Sequence, residues 1–336
     1  MPKFFKILFF NTLILGTLVS ISSYSWFSMW MGLEINLLSM IPLMKNSMNL
    51  YPSESALKYF VTQALASSAL LFAIIMSMNI NEFIPQNSNY LLMMMMNSAL
   101  LTKTGAAPFH AWFPEVVEGL DWLNCLLILT WQKIAPMVLL MYNSKMSMFL
   151  TMVVIFSTVI GGILGINQIS LRKIMAFSSI NHMAWMIASM MNSQTIWMTY
   201  FLIYSIISIN IILILNNLNI FLVKQLMLTL NSNKMVKMLF MFNFFSLGGI
   251  PPFLGFFPKW LTINNLVYNK FLFLSLILVI STLVTMFFYL RLTFASMMLN
   301  SGETIIPQTK PLFSIFLLNF ISLAGLTVCT LIFNFT

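Results

Sequence analysis

Charged side chains are scarce in this chain. Asp, Glu, Lys and Arg together make 7% of the 336 residues, where a soluble domain carries roughly 25%. A water-exposed surface cannot be assembled from so few charges. Two soluble domains, which the length alone would allow, are therefore excluded. Disorder is excluded for the opposite reason, because 60% of the chain is apolar and there is ample surface to bury. Cysteine is nearly missing. Cys125 and Cys329 each sit inside an apolar run, which argues against a structural disulfide, a thiolate metal site or an iron–sulfur cluster. The chain shows no phosphate-cradling glycine loop and no dinucleotide fingerprint. His110 with Glu115, Glu118 and Asp121 gives no compact metal-ligand spacing. No cofactor or metal is expected in this chain, and any redox chemistry coupled to it belongs to another polypeptide. The 16 basic residues outnumber the 7 acidic ones, for a net +9. They are scattered singly between apolar runs, so no nucleic acid is expected as a partner and membrane topology explains them better.

What is present is a series of apolar runs, each about 20 residues long, the length that spans a bilayer as helix. Eleven are counted, with rough limits 4–22, 24–44, 57–80, 90–119, 122–142, 147–166, 173–192, 195–216, 236–268, 271–299 and 312–334. The expected fold class is an all-α polytopic membrane protein of about eleven transmembrane helices. No Arg-rich transit peptide or signal peptide precedes the first run. Thirty methionines stand where Ile or Leu would serve, as in the run from Leu91 to Asn97. A genetic code that reads an isoleucine codon as Met, as animal mitochondria do, explains them. Drift among equivalent apolar residues is the alternative.

The fourth and ninth runs are long and interrupted. The breaks lie at Gly105-Ala106-Ala107-Pro108 and at Gly248-Gly249-Ile250-Pro251-Pro252. The segment from Gly105 to Glu115 aligns with that from Gly249 to Lys259 without a gap, at an offset of 144 residues. The first and sixth runs differ by nearly the same offset. The chain thus reads as two five-helix repeats, 1–144 and 145–300, each with a broken fourth helix, followed by a C-terminal transmembrane helix in 301–336. An odd number of helices per repeat inverts the second repeat, the signature of transporters whose working site lies near the broken helices. Chance recurrence of Gly and Pro, which are frequent in transmembrane helices, is the competing explanation.

Loop charges set the orientation. One side carries Lys3, Lys6, Lys45, Lys58, Arg172, Lys173, Lys224, Lys234, Lys237 and Lys310, with Arg291 near it; the other carries Lys145 and Lys270. The positive-inside rule then puts the N-terminus inside, which is the matrix of a mitochondrion, and the C-terminus in the intermembrane space.

Four charged residues fall inside the runs: Glu34, Lys103, Lys133 and Lys259. Each costs ~2.5–3.5 kcal/mol at mid-bilayer even on lenient scales, so they imply a shared hydrated or mutually paired interior. Desolvation disfavours an ammonium and a nearby carboxylate restores it. Moving or separating such a pair switches proton affinity, and a proton relay follows. Static pairing that locks helix packing is the alternative, but three lysines to one carboxylate suit it poorly. His182 in the seventh run suits proton transfer, or serves as a hydrogen-bonded packing residue. His110 is a weaker candidate because it lies near the surface. Glu115, Glu118 and Asp121 are expected to cap the loop after the fourth run.

These residues sit in the segments MGLEINLLSMIP, LKYFVTQALAS, KTGAAPFHAWFPEV, LTWQKIAP, LRKIMAFSSINHMAWM and SLGGIPPFLGFFPKW. Together they closely resemble the antiporter-like, proton-translocating membrane subunits of respiratory complex I, of the insect mitochondrial type, a family related to Mrp-type cation/proton antiporters. The resemblance covers residues 15 to 295. It implies that Glu34 is the helix glutamate that pairs with the lysine of the first broken helix, Lys103. It implies that Lys133 is the linking lysine and Lys259 that of the second broken helix, with His182 in the family's serine-rich histidine segment. It also implies a mitochondrial inner-membrane location and a part in NADH:ubiquinone reductase activity, with NADH, flavin, iron–sulfur clusters and ubiquinone held by other subunits. Partners are then other complex I subunits, especially neighbouring antiporter-like ones, together with phospholipids and protons. The resemblance departs at the N-terminus, where bacterial relatives carry three more helices, and this implies a flank open to partner subunits. A free-standing cation/proton antiporter would share the repeats and lysines, and an inert structural spacer would share the buried charges.

Overall fold

The computed structural model describes residues 4–45, 50–80, 88–144, 146–230 and 234–298, with 319, 320, 322, 323 and 325. Among these residues the structure is almost entirely α-helical, and the sole extended pairing is an isolated bridge between Ser170 and Leu222. Fourteen helices follow in order. They are α1 (Phe4–Ser22), α2 (Trp26–Met44), α3 (Tyr51–Ile80), α4 (Ser88–Thr104), α5 (Trp112–Gly119), α6 (Trp122–Leu129) and α7 (Trp131–Tyr142). Then come α8 (Ser147–Ile166), α9 (Leu171–Met190), α10 (Gln194–Asn217), α11 (Val223–Leu230), α12 (Lys234–Gly248), α13 (Phe256–Tyr268) and α14 (Leu272–Met298). Seven spans are long and apolar enough to cross a membrane: α1, α2, α3, α6 with α7, α8, α10 and α14. The expected eleventh helix, Lys3, Lys145, Lys310, Cys329 and the C-terminus lie outside the described residues, apart from the five positions between 319 and 325.

The remaining expected spans are present in altered form. The fourth is α4 plus α5 and the ninth is α12 plus α13, each interrupted at its glycine. The seventh is α9, long enough to cross but too polar for the apolar measure because it carries Ser178, Ser179, Asn181 and His182. Every residue of α9 from Ile174 to Met190 is buried. It packs against α10, α13 and α14, so its polar groups meet protein rather than hydrocarbon. By contrast α14 carries Leu276, Ile280, Leu283 and Phe287 exposed along one stripe, the spacing of a single helix face turned to lipid.

Three features depart from the sequence reading. The fifth span, expected to be continuous, is divided at Thr130, whose hydroxyl donates to Leu126 O at 2.7 Å. A side chain that bonds the preceding turn bends a helix, and Pro136 removes the N–H that would reach Gln132 O. The short α11 lies in what read as a loop; Gln225 Oε1 accepts from Phe221 N and Leu222 N at 3.0 and 3.1 Å and so starts it. Lys58, counted with the loop charges, and Glu115, expected to cap a loop, lie inside the third and fourth runs and are helical, in α3 and α5. Lys58 reaches Glu54 at 3.1 Å and Glu115 at 3.0 Å.

The chain divides into two compact units, Met1–Val153 and Val154–Thr336. In the first, α1 and α2 cross at Gly16 and Gly32. A Cβ on Gly32 would lie 2.6 Å from Ser20 N and 2.8 Å from Ser20 Cα. Small residues let helix backbones approach this closely in a membrane. Because backbone cannot yield as a side-chain tip can, Gly32→Val is expected to destabilise the protein by about 1–3 kcal/mol, the usual cost of overpacking. Thermal unfolding of the detergent-solubilised protein checks this, and an unchanged midpoint would refute the tight crossing.

Candidate functional site

The two breaks are built alike. Gly105 and Gly249 have φ of +76° and +83°, a region that a Cβ disfavours. In the first, Gly105 N donates to Leu101 O and Thr102 O, Ala106 N to Leu101 O, and Phe109 N to Ala106 O. In the second, Gly249 N donates to Phe245 O and Ser246 O, Ile250 N to Phe245 O, and Phe253 N to Ile250 O. Phe113 N to His110 O recurs as Phe257 N to Leu254 O. Every one of these bonds repeats at the offset of 144 residues read from the sequence. They are the left-handed helix stop that satisfies the last carbonyls of a helix.

In the first unit Lys103 lies in the last turn of α4 and is buried. Its carbonyl accepts from Gln63 Nε2 at 3.5 Å, and the carbonyl before it, Thr102 O, accepts from Trp112 Nε1 at 3.0 Å. Glu34 lies on α2. No ion pair joins it to Lys103, whereas Lys58 pairs with Glu54 and Glu115. Direct pairing of Glu34 with Lys103, one of the two arrangements the sequence suggested, is therefore absent from this conformation. Glu34 Oε1 is buried and has no hydrogen-bond partner among the described residues.

Lys133 on α7 is 1% exposed. Its Nζ stands 5.6 Å from the centre of the Phe113 ring, within cation–π range. The same ring packs on the first break, since a Cβ on Gly105 would lie 2.9 Å from Phe113 Cδ2. One aromatic side chain thus touches both the break beside Lys103 and the ammonium of Lys133. The neighbour of Lys133 is also engaged: Gln132 Nε2 donates to Asn36 Oδ1 at 2.9 Å, and Tyr59 OH reaches Gln132 Oε1 at 3.5 Å. Asn36 is two residues beyond Glu34, so this amide pair holds α7 against the helix that carries the glutamate.

In the second unit Lys259 lies on α13 after the break and is 7% exposed. Its Nζ donates to Leu247 O at 3.1 Å and to Gly248 O at 2.7 Å. Those are the last carbonyls of α12, where the helix dipole favours a cation. The ammonium is also 5.8 Å from the Trp185 ring on α9. One turn earlier on α9, His182 Nδ1 meets Tyr200 OH at 2.9 Å. The His182 ring lies 5.1 Å from that of Tyr204. Trp185 and His182 therefore share a face of α9, between Lys259 and two tyrosines of α10. His110 is partly exposed, and its Nδ1 meets Pro108 O at 3.3 Å. Among the described residues no group of three or more His, Cys, Asp or Glu side chains could hold a metal ion.

Of the sequence-selected residues, the first unit assembles Glu34, Lys103 and Lys133, and the second His182 and Lys259. Sequence reading passed over Asn36, Gln132, Gln63, Tyr200 and Tyr204. Asn36 and Gln132 were legible as polar residues beside intramembrane charges, and Tyr200 and Tyr204 as an i, i+4 pair in an apolar span. Gln132→Leu leaves Asn36 Oδ1 buried without its donor and should cost about 1–3 kcal/mol. Asn36→Leu combined with Gln132→Leu removes both partners and should recover most of that loss. Thermal unfolding of the three variants checks it; additive losses would show that the amides act independently.

The chain was compared with known proteins. A transmembrane family described as NADH:quinone oxidoreductase/Mrp antiporter matches residues 23–285. Proteins named NADH-ubiquinone oxidoreductase chain 2 are similar along nearly the whole chain. That of Anopheles gambiae is 50% identical over 342 residues, 99% of each chain. That of Locusta migratoria is 42% identical, covering 97% of this chain and 96% of its own. Among solved structures, a chain of respiratory complex I from Thermus thermophilus has a TM-score of 0.85 at 22% identity, over 97% of this chain and 79% of that one. A chain of the Mrp complex from Dietzia has a TM-score of 0.76 at 16% identity, over 84% and 58%. These two share the fold. By the matched span and by its identity to the insect proteins, the chain belongs to the NADH:quinone oxidoreductase/Mrp antiporter transmembrane family.

Proposed function

We propose that this chain is an antiporter-like membrane subunit of an NADH–ubiquinone oxidoreductase, moving protons across the inner mitochondrial membrane through Glu34, Lys103, Lys133, Lys259 and His182. Electron transfer from NADH, with its flavin, iron–sulfur clusters and ubiquinone, takes place in other subunits, and this chain holds none of them. The observation that carries the reading is the burial of three lysines, two of them beside helix breaks, in a chain half identical to proteins of that name. Identity along 99% of both chains favours such a subunit over a free-standing cation/proton antiporter. The partners are other subunits of the complex, neighbouring antiporter-like ones foremost, and phospholipids.

In this reading the chain holds two inverted repeats, 1–144 and 145–300, with 301–336 as a final membrane helix. The recurrence of the break hydrogen bonds at one offset supports it. The first repeat carries Glu34, Lys103 and Lys133. A change in the separation of Glu34 from Lys103 alters how firmly each holds its proton, because the Coulomb term between them changes steeply at low dielectric. Phe113 and the Asn36–Gln132 link couple that change to Lys133. The second repeat carries His182 and Lys259. Lys259 can give up a proton without abandoning the break, since a neutral amine keeps two N–H groups for the two carbonyls.

Substitution in the intact enzyme tests the relay. Glu34→Gln should leave assembly and NADH oxidation near parental levels while proton transport per NADH falls by about tenfold, the effect of a lost charge worth ~1.4 kcal/mol. Lys133→Arg should assemble yet transport as poorly as Lys133→Met, because an arginine keeps its proton. Parental transport in the assembled Glu34→Gln enzyme would refute the switch. Parental transport in Lys133→Arg alone would make Lys133 a fixed charge.

The orientation places the N-terminus and Lys237 in the matrix and the C-terminus in the intermembrane space. Protease added to intact mitoplasts should therefore spare the bond after Lys237 and cut there once the membrane is opened. Cleavage at Lys237 in sealed mitoplasts would reverse the assignment.

A further inference from the structure

The two breaks differ in what covers them. In the second unit, Asn319, Ser322 and Gly325 of this same chain lie on α12 and on the turn beyond its break. Asn243 Nδ2 donates to Asn319 Oδ1, and Ser322 Oγ donates to Asn243 Oδ1 at 3.0 Å. Gly325 lies against the turn so closely that a Cβ there would meet Leu254 Cδ1 at 1.9 Å. A membrane-depth break covered by a helix with a small residue at the crossing is what hydrocarbon demands, because irregular backbone facing lipid is not tolerated.

In the first unit the corresponding surface is a groove of about 380 Å³ between α3, α4 and the first break. At the offset of 144, Asn243 corresponds to Ala99, which lines the groove. Leu254 corresponds to His110, and both neighbours of His110, Phe109 and Ala111, line it as well. The groove is thus the repeat counterpart of the occupied seat. Its backbone is irregular and open, for Pro108 and Ala111 are both exposed. The hydroxyls on its wall are already engaged: Thr62 donates to Lys58 O, Ser98 to Met95 O and Thr102 to Ala99 O. A groove of this kind gives water few sites. Its alanines leave room for the backbone of an incoming helix rather than for a bulky side chain.

We infer that this groove is the seat of an apolar membrane-spanning helix from a partner polypeptide, with a small residue at the crossing where Gly325 stands in the second unit. The inference rests on the reading of the chain as one subunit of a membrane assembly. A partner helix is favoured over a lipid chain by the seat's twin, which holds a helix, and by the exposed turn, which lipid does not cover.

The test uses the intact purified complex with a photoreactive phenylalanine analogue at position 111, and at position 69 in a second variant. Both positions are exposed on the groove wall, so neither needs a buried residue replaced. The expected result is that both positions label a membrane-spanning segment of another polypeptide several-fold more than phospholipid. Predominant phospholipid adducts at both positions, or adducts to residues 319–325 of this chain, overturn the inference. If the chain purifies with other polypeptides while position 111 labels lipid, the seat alone falls and the subunit reading stands. If the chain purifies alone, the subunit reading falls and takes the seat with it.

Discussion

A backbone N–H or C=O without a partner costs several kcal/mol in hydrocarbon, where no water can replace the missing bond. That constraint organises the molecule. It makes the chain helical wherever it meets lipid, and it forces each interruption to account for the groups it releases. Both breaks close their helix with the same left-handed glycine and the same set of backbone bonds. What is left over is taken by side chains: Trp112 and Gln63 on the carbonyls of the first break, Lys259 on those of the second.

The two lysines beside the breaks consequently do different physical work. Lys103 precedes its break and contributes a carbonyl that others satisfy, so its ammonium is not held by the helix end. Lys259 follows its break and holds the helix end itself. Its charge is stabilised by two carbonyls and a dipole. Two breaks of one backbone design therefore hold their lysines differently.

Polar side chains of the interior lie against protein rather than lipid. The serines, asparagine and histidine of α9 lie in a helix surrounded by α10, α13 and α14, and His182 is met by Tyr200. Asn36 and Gln132 satisfy each other between α2 and α7. Such amide pairs contribute modestly in a membrane, ~0.6 kcal/mol on average. Their larger effect is positional, because an unpaired amide in that environment is costly enough to make the register between the helices unique.

Composition and run length alone determined that the chain is helical and spans a membrane, since nothing else can hold 60% apolar residues with 7% charge. Local pattern located both breaks and their repeat, because Gly at a positive φ and Pro without an N–H act on their own turn of backbone. Intramembrane charge picked out Glu34, Lys103, Lys133 and Lys259, since a charge in an apolar run is conspicuous in one dimension. Only the tertiary structure decided who meets whom. That Lys259 caps α12, that Phe113 bridges Gly105 and Lys133, and that Asn36 faces Gln132 depend on side chains from separate helices converging. It also decided that Glu34 and Lys103 stand apart, and that Glu115 joins Lys58 rather than capping a loop. Hydropathy reads each helix against lipid; the contacts between helices depend on packing angles and register, which no single run encodes.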